Sequence, residues 1–309
     1  MDLLFPSLVN SFVQAISYGL YIATFSHCLR WLLYDNESWK GRNKLNWPML
    51  TISILVFLLG TAGLGTSFRM TLALHQSDDL LYNTFNTVNS ALEYTTFQIV
   101  DAVLIYRCWV VYNYSWRVIC LPGLFWIAGV ILSSYDIYLY SVALNTYDPE
   151  AIDKLALLTL HIWNGFFACN IAVNIYATCT IIYRILRVMR ISTANTSGWR
   201  LSQTCRIVAE SGALYTFSTI VNLIATVLLA QDDRFNYFQS AADPLNFSMA
   251  GIAFNLILIR VGQQRAARNP VPDSAPSSDA NISAIRFRHE STKATESQNP
   301  STLHSKAEC

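Results

Sequence analysis

Seven apolar stretches punctuate the chain, at residues 8–33, 47–74, 87–112, 118–142, 155–185, 207–230 and 244–261. Each is about as long as the ~20 residues that a helix, rising about 1.5 Å per residue, needs to cross ~30 Å of hydrocarbon. The runs are continuous rather than alternating, unlike barrel strands, and backbone amides in lipid must bond within their own segment. The pattern predicts an all-α membrane protein: a seven-transmembrane helix bundle over residues 1–262 and a tail over 263–309. The tail is rich in Ser, Thr, Asn, Pro and charge without apolar periodicity, the composition of a disordered segment.

Basic residues orient the bundle. With the N-terminus outside, only Arg69, Lys154 and Arg234 of the 21 lysines and arginines fall on the outer side. The remainder, from Arg30, Lys40, Arg42 and Lys44 to Arg187, Arg190, Arg200 and Arg206, lie on the cytosolic side, as do all those from Arg260 onward. The tail is thus cytosolic, and the outer face collects acids including Asp78, Asp79, Asp148, Asp232, Asp233 and Asp243. No cleavable signal peptide is expected, because no positive charge precedes the first span and the first basic residue, Arg30, lies at its far end. None of the sequons at Asn36, Asn113, Asn195, Asn246 and Asn281 falls in an outer loop, so none is expected to be glycosylated.

Composition sharpens this picture. Hydrophobic residues make up 53% of the 309 and charged residues 13%, against about 25% charged in soluble proteins. Seven spans leave no room for a soluble domain of ordinary size, so ligand binding belongs to the bundle or its loop ends. None of the five lysines lies in a span, which excludes a retinal Schiff base. HExxH, paired-cysteine and phosphate-cradling motifs are absent, and the reading is of a protein that is not an enzyme, with neither cofactor nor metal.

An ionisable group in a span is costly and marks a functional hypothesis. Four acids qualify: Glu93 and Asp101 on the third helix, Asp136 near the outer end of the fourth, where it can reach the interface, and Glu210 on the sixth, one turn from Arg206. On the third helix Asn86, Asn89 and Glu93 recur at i, i+3 and i+7, with Gln98 and Asp101 on a neighbouring face, so this helix should be central. Ser211, Tyr215, Ser218, Thr219, Asn222 and Thr226 form a stripe on the sixth helix. The fifth carries His161, Asn164, Asn170 and Asn174, and the seventh Asn246 and Asn255. Interhelical hydrogen bonds that merely hold the bundle together account for these residues as well as a cavity near Glu93, Asp101, His161 and Asn222 does.

The stretches Asn46-Trp47-Pro48, 55–59 and above all Asp101 to Val111 resemble a large family of seven-helix integral membrane proteins of mushroom-forming fungi. Its members mostly have no assigned activity, so the resemblance implies a fold and a fungal membrane setting rather than a function. Where that family often shows a histidine, an aspartate and an arginine at the end of the second helix, this chain reads Ala62 to Arg69 and keeps only Arg69. The layout is also similar to a G-protein-coupled receptor, with Asp101 and Arg107 in the inner half of helix three, although the prolines typical of helices six and seven in the large animal class are missing.

The resulting expectation is a receptor-like sensor. Glu93, Asp101, His161 and Asn222 would bind a small-molecule ligand, and Asp101 and Arg107 would form the switch. The basic stretch 187–206 would meet a cytosolic signalling partner. The lipid bilayer is the other partner, nucleic acid is none, and the plasma membrane is favoured over an internal one. The alternatives are a proton- or cation-coupled transporter or channel and, third, a structural membrane protein.

Overall fold

A computed structural model describes residues 4–34, 47–143, 149–191 and 197–268. The chain divides into two compact units, residues 1–264 and 265–309. Its elements are α1 (Leu4–Leu33), α2 (Trp47–His75), α3 (Asp79–Val111), α4 (Trp116–Ala143), α5 (Pro149–Ile191), α6 (Ser197–Leu229) and α7 (Asn236–Arg268), with a single 3-10 turn at Asp233–Phe235 before α7. Among the described residues there is no strand. Several expectations fall outside the described residues: the tail after Arg268, the lysines Lys40 and Lys44 with Arg42, and the side chains of Arg190, Arg200 and Arg206.

The helices outrun the apolar stretches that announce them. Hydropathy marks only the part of a helix that suits hydrocarbon, whereas the helix itself continues until a cap stops it. α3 begins eight residues before 87 because Asp78 caps it, its carboxylate accepting from the Leu81 amide at 3.0 Å. α5 opens on Pro149, whose missing amide is harmless at the first helical position, and runs for 43 residues. α7 starts at Asn236 rather than 244, placing Asp243 and Pro244 inside the helix.

Polarity is distributed inside out. α4 turns Leu121, Leu124, Ile127, Ile131, Tyr135 and Tyr138 outward in one stripe, and only 17% of its most apolar window is buried. The interior meanwhile holds Glu93, Asp101, Asp136, Asn170, Asn174, Asn222, Asn246 and Asn255. Exposed apolar surface on that scale would be a liability in water and is ordinary in lipid. Among the described residues six helices, α1, α2 and α4 to α7, are long and apolar enough to cross a membrane. α3 is as long but too polar for that set, with Glu93, Asp101 and Arg107 along it. α7 is the most enclosed, with 72% of its apolar window buried.

Packing follows small residues and rings. An aromatic centre of Tyr94, Phe97, Phe166, Phe167, Tyr215 and Phe247 joins α3, α5, α6 and α7. Between α1 and α2 the rings of Phe25 and Phe57 stack at 4.3 Å and 7°. Gly251 lets α7 approach α1 so closely that a β-carbon there would stand 2.7 Å from the Tyr21 ring. Gly212 does the same between α6 and α5, where a β-carbon would meet the Thr178 hydroxyl at 2.5 Å. Thr178 Cγ2 stands at 2.8 Å and its Cβ at 3.2 Å from the same point, and a β-branched side chain is stiff in a helix, so Gly212→Ala is expected to destabilise by about 1–3 kcal/mol; thermal unfolding in detergent measures it, and an unchanged or raised Tm contradicts the close approach.

The short turn after α3 places Asn113 and Tyr114 in the left-handed region, at φ 53° and 63°. Asparagine accepts that conformation readily, and Tyr114 is held by its ring lying 4.9 Å from Trp109. With Trp116 at 5.4 Å from Trp109, this end of α3 carries the aromatic cluster expected at a membrane interface.

Candidate functional site

Three layers of buried polar side chains cross the bundle, described here from the end that holds Leu4. In the first, Thr66 of α2 donates to the Asn89 carbonyl at 2.8 Å, and the Asn89 amide donates to Glu93 at 2.7 Å. Across from it, the Asn222 amide donates to Asp243 at 3.2 Å, while the Gln239 amide donates to the Asn222 carbonyl at 3.3 Å. Asp243 is near enough to Glu93 for the two carboxyls to interact electrostatically. On the α4 side, the Tyr94 hydroxyl donates to Asp136, whose side chain is fully buried. Tyr140, one turn further along α4, lies close to Ser90 of α3 and within electrostatic reach of Asp136, Glu93 and Asp243 together.

The second layer ties three helices through one asparagine. The Asn170 amide of α5 donates to Asp101 of α3 at 2.9 Å, and the Tyr215 hydroxyl of α6 donates to the Asn170 carbonyl at 3.0 Å. Asn246 joins α7 to α6 by accepting from Ser218 at 3.1 Å and Thr219 at 3.0 Å. Its side chain is fully buried, out of a glycan's reach. In the third layer Arg107 of α3 donates to the Ile257 carbonyl of α7 at 3.2 Å. Arg107 stands six residues beyond Asp101, about 9 Å along the helix axis.

A cavity of about 360 Å³ opens at the Leu4 end, between α3, α4 and the start of α5. Asn83, Asn86 and Thr87 form one wall, Leu139, Tyr140 and Ala143 the second, Leu155, Ala156 and Thr159 the third. Its size and its mixture of apolar and amide groups are those of a small-molecule pocket. Deeper in, between α1, α2, α3 and α7, the space by Tyr21, Gly60, Thr96 and Gly251 is about 10 Å³, room for no more than one water.

Of the residues expected at the site, Glu93 and Asn222 come together through Asp243, and Asp101 lies one layer deeper. His161 does not join them; it is exposed on the outer surface of α5. Asp136, which could have reached the interface, is instead buried against Tyr94. Asp243, assigned to the outer loop, is a half-buried member of α7. The signal for it was present, since Gln239, Asp243 and Asn246 recur at i, i+4 and i+7. Glu210 is exposed at the other end and lies within electrostatic reach of Arg260. Among the described residues no group of three or more His, Cys, Asp or Glu side chains is placed to hold a metal ion.

The fold and its inside-out polarity define a multi-pass integral membrane protein with an all-helical bundle. The chain matches no protein-family model, no curated protein and no solved structure.

Proposed function

We propose that this chain is a receptor-like sensor, spanning the membrane seven times with its N-terminus outside, that binds a small ligand in the cavity between α3, α4 and α5. The observation that carries the reading is the cavity itself, about 360 Å³ at the end of the bundle where outer loops would lie. Its α3 wall continues through Ser90 into Glu93 and Tyr94, so a ligand that shifts α3 acts on the same helix that holds Asp101 and Arg107. Those two link α3 to α5 and α7, which suits them to a switch read by a cytosolic partner at the opposite end. α3 as the seventh span is consistent with its central position, where neighbours rather than lipid meet its acids. A plasma-membrane setting and membership of the fungal family of seven-helix proteins belong to the same reading, the second carried by the stretch from Asp101 to Val111.

The test is a thermal-shift screen of purified protein against small metabolites, with Ala143→Trp as the variant that fills the cavity. A ligand in hundredfold excess over its Kd stabilises by about 2.7 kcal/mol. A hit that survives Ala143→Trp unchanged removes the cavity from the argument. The second reading, a cation- or proton-coupled transporter, draws on the buried carboxyls Glu93, Asp101, Asp136 and Asp243; solute uptake abolished by Asp101→Asn would favour it over the sensor.

A further inference from the structure

Glu93, Asp136 and Asp243 come from three different helices, yet Tyr140 feels all three, and Tyr140 also lines the 360 Å³ cavity. Asp136 stands four residues before Tyr140 and three before Leu139, so the carboxyl lies one helical turn below two residues of the cavity wall, on the same face of α4. One of its oxygens takes the Tyr94 hydroxyl; the other, Oδ1, is fully buried with no hydrogen-bond partner. The remaining partners of the cluster are neutral: Asn89 on Glu93 and Asn222 on Asp243.

No described positive side chain offsets these groups at this end of the bundle. Arg69 is exposed, Lys154 is exposed and paired with Glu150 at 2.8 Å, and Arg234 is exposed beside Asp232 at 3.7 Å. Arg107, the buried base of α3, lies 14 residues below Glu93, about 21 Å along the helix. A concave site with low-dielectric walls and acids of one sign concentrates a negative potential within itself in proportion to the carboxyls that are ionised. The walls add no charge of their own: Asn83 and Asn86 carry neutral amides, Thr87 and Thr159 hydroxyls, and Tyr140 an aromatic ring, a group whose face attracts cations.

We infer that the cavity between α3, α4 and α5 takes a small organic cation, an ammonium compound whose charge is balanced by the Glu93, Asp136 and Asp243 carboxyls beneath it. The inference rests on the cavity being the ligand site of the proposed sensor and adds the chemical class of ligand.

Paired probes that differ only in charge test it on the full-length protein in detergent: choline against 3,3-dimethylbutan-1-ol, and benzylammonium against benzyl alcohol. The cation of each pair is expected to bind at least about tenfold more tightly than its neutral isostere. Asp136→Asn and Glu93→Gln should each lower that ratio about threefold or more while leaving the neutral probe's affinity unchanged, which also reports that the variant is folded. Glu150→Gln removes one exposed carboxylate at the same end and should leave the ratio alone. Equal binding of cation and isostere, both lost in Ala143→Trp, overturns the cation and leaves the cavity as a ligand site. A ratio that neither carboxyl variant moves overturns the role of the cluster, and no binding by any of the four probes overturns the cation inference, while the metabolite screen with Ala143→Trp decides the sensor reading separately.

Discussion

Asn170→Leu is expected to cost about 2–3 kcal/mol of stability, more than an interhelical hydrogen bond in a membrane usually contributes. Such bonds average about 0.6 kcal/mol in double-mutant cycles, because helices apart in the bilayer still find other partners. Asn170 differs in serving two helices at once, donating to Asp101 at 2.9 Å and accepting from Tyr215 at 3.0 Å. Asp101 is 4% exposed and its Oδ1 already lacks a partner, so leucine would strand the entire carboxyl in the packed interior. Orphaning a buried polar group costs about 1–3 kcal/mol, more when it carries charge. The same reasoning makes Asp101→Leu in the Asn170→Leu background partly restorative, since removing both partners leaves nothing unsatisfied between α3 and α5. Denaturation of the four proteins of this cycle in detergent measures the coupling. A double variant no more stable than Asn170→Leu alone would show that the carboxyl finds another partner, and the role of Asn170 as the hub of the second layer would fall.

That hub was half legible in the sequence. The α6 stripe could be read because its members recur at helical spacing, and Ser211, Tyr215, Thr219, Asn222 and Thr226 are all buried. The central position of α3 followed from its acids in the same way. On α5 depth was legible and direction was neglected. His161 and Asn170 are nine residues apart, about 180° around the helix at roughly 100° per residue, so they could not face one interior together. Asn174, one turn from Asn170, shares its side and donates to the Thr216 hydroxyl at 2.6 Å. The first layer was the least visible. Tyr94 and Tyr140 look like ordinary aromatic residues of a span, and only the packing of α3 on α4 pairs them with Asp136 and Ser90. Asp243 was lost to the apolar criterion, which begins the seventh span at the proline after it although the helix begins eight residues before that proline.

Phe166→Ala probes a different source of cohesion. Phe166 is 2% exposed and meets Tyr94 at 4.8 Å, Phe167 at 5.5 Å and Phe97 at 6.2 Å, with near-perpendicular or tilted rings. In a soluble core the loss would combine transfer of the ring from water with the cavity it leaves, about 3–5 kcal/mol. In lipid the transfer part is largely absent, because the separated helix would expose the ring to hydrocarbon as apolar as the core. What remains is the unfilled space, at about 24 cal/mol per Å³, and the forfeited ring contacts of about 0.5–1.5 kcal/mol each. A vacancy of about 80 Å³ then accounts for roughly 2 kcal/mol, and the three contacts, at the low end of their range, bring the expected loss to about 3.5 kcal/mol. Phe166→Leu, which keeps most of the volume, should recover more than half of it. Unfolding in bicelles distinguishes the two sources: if leucine restores nothing, ring geometry rather than filled volume holds α3 to α5, and if alanine costs nothing, the aromatic centre is not what keeps Tyr94 in place against Asp136.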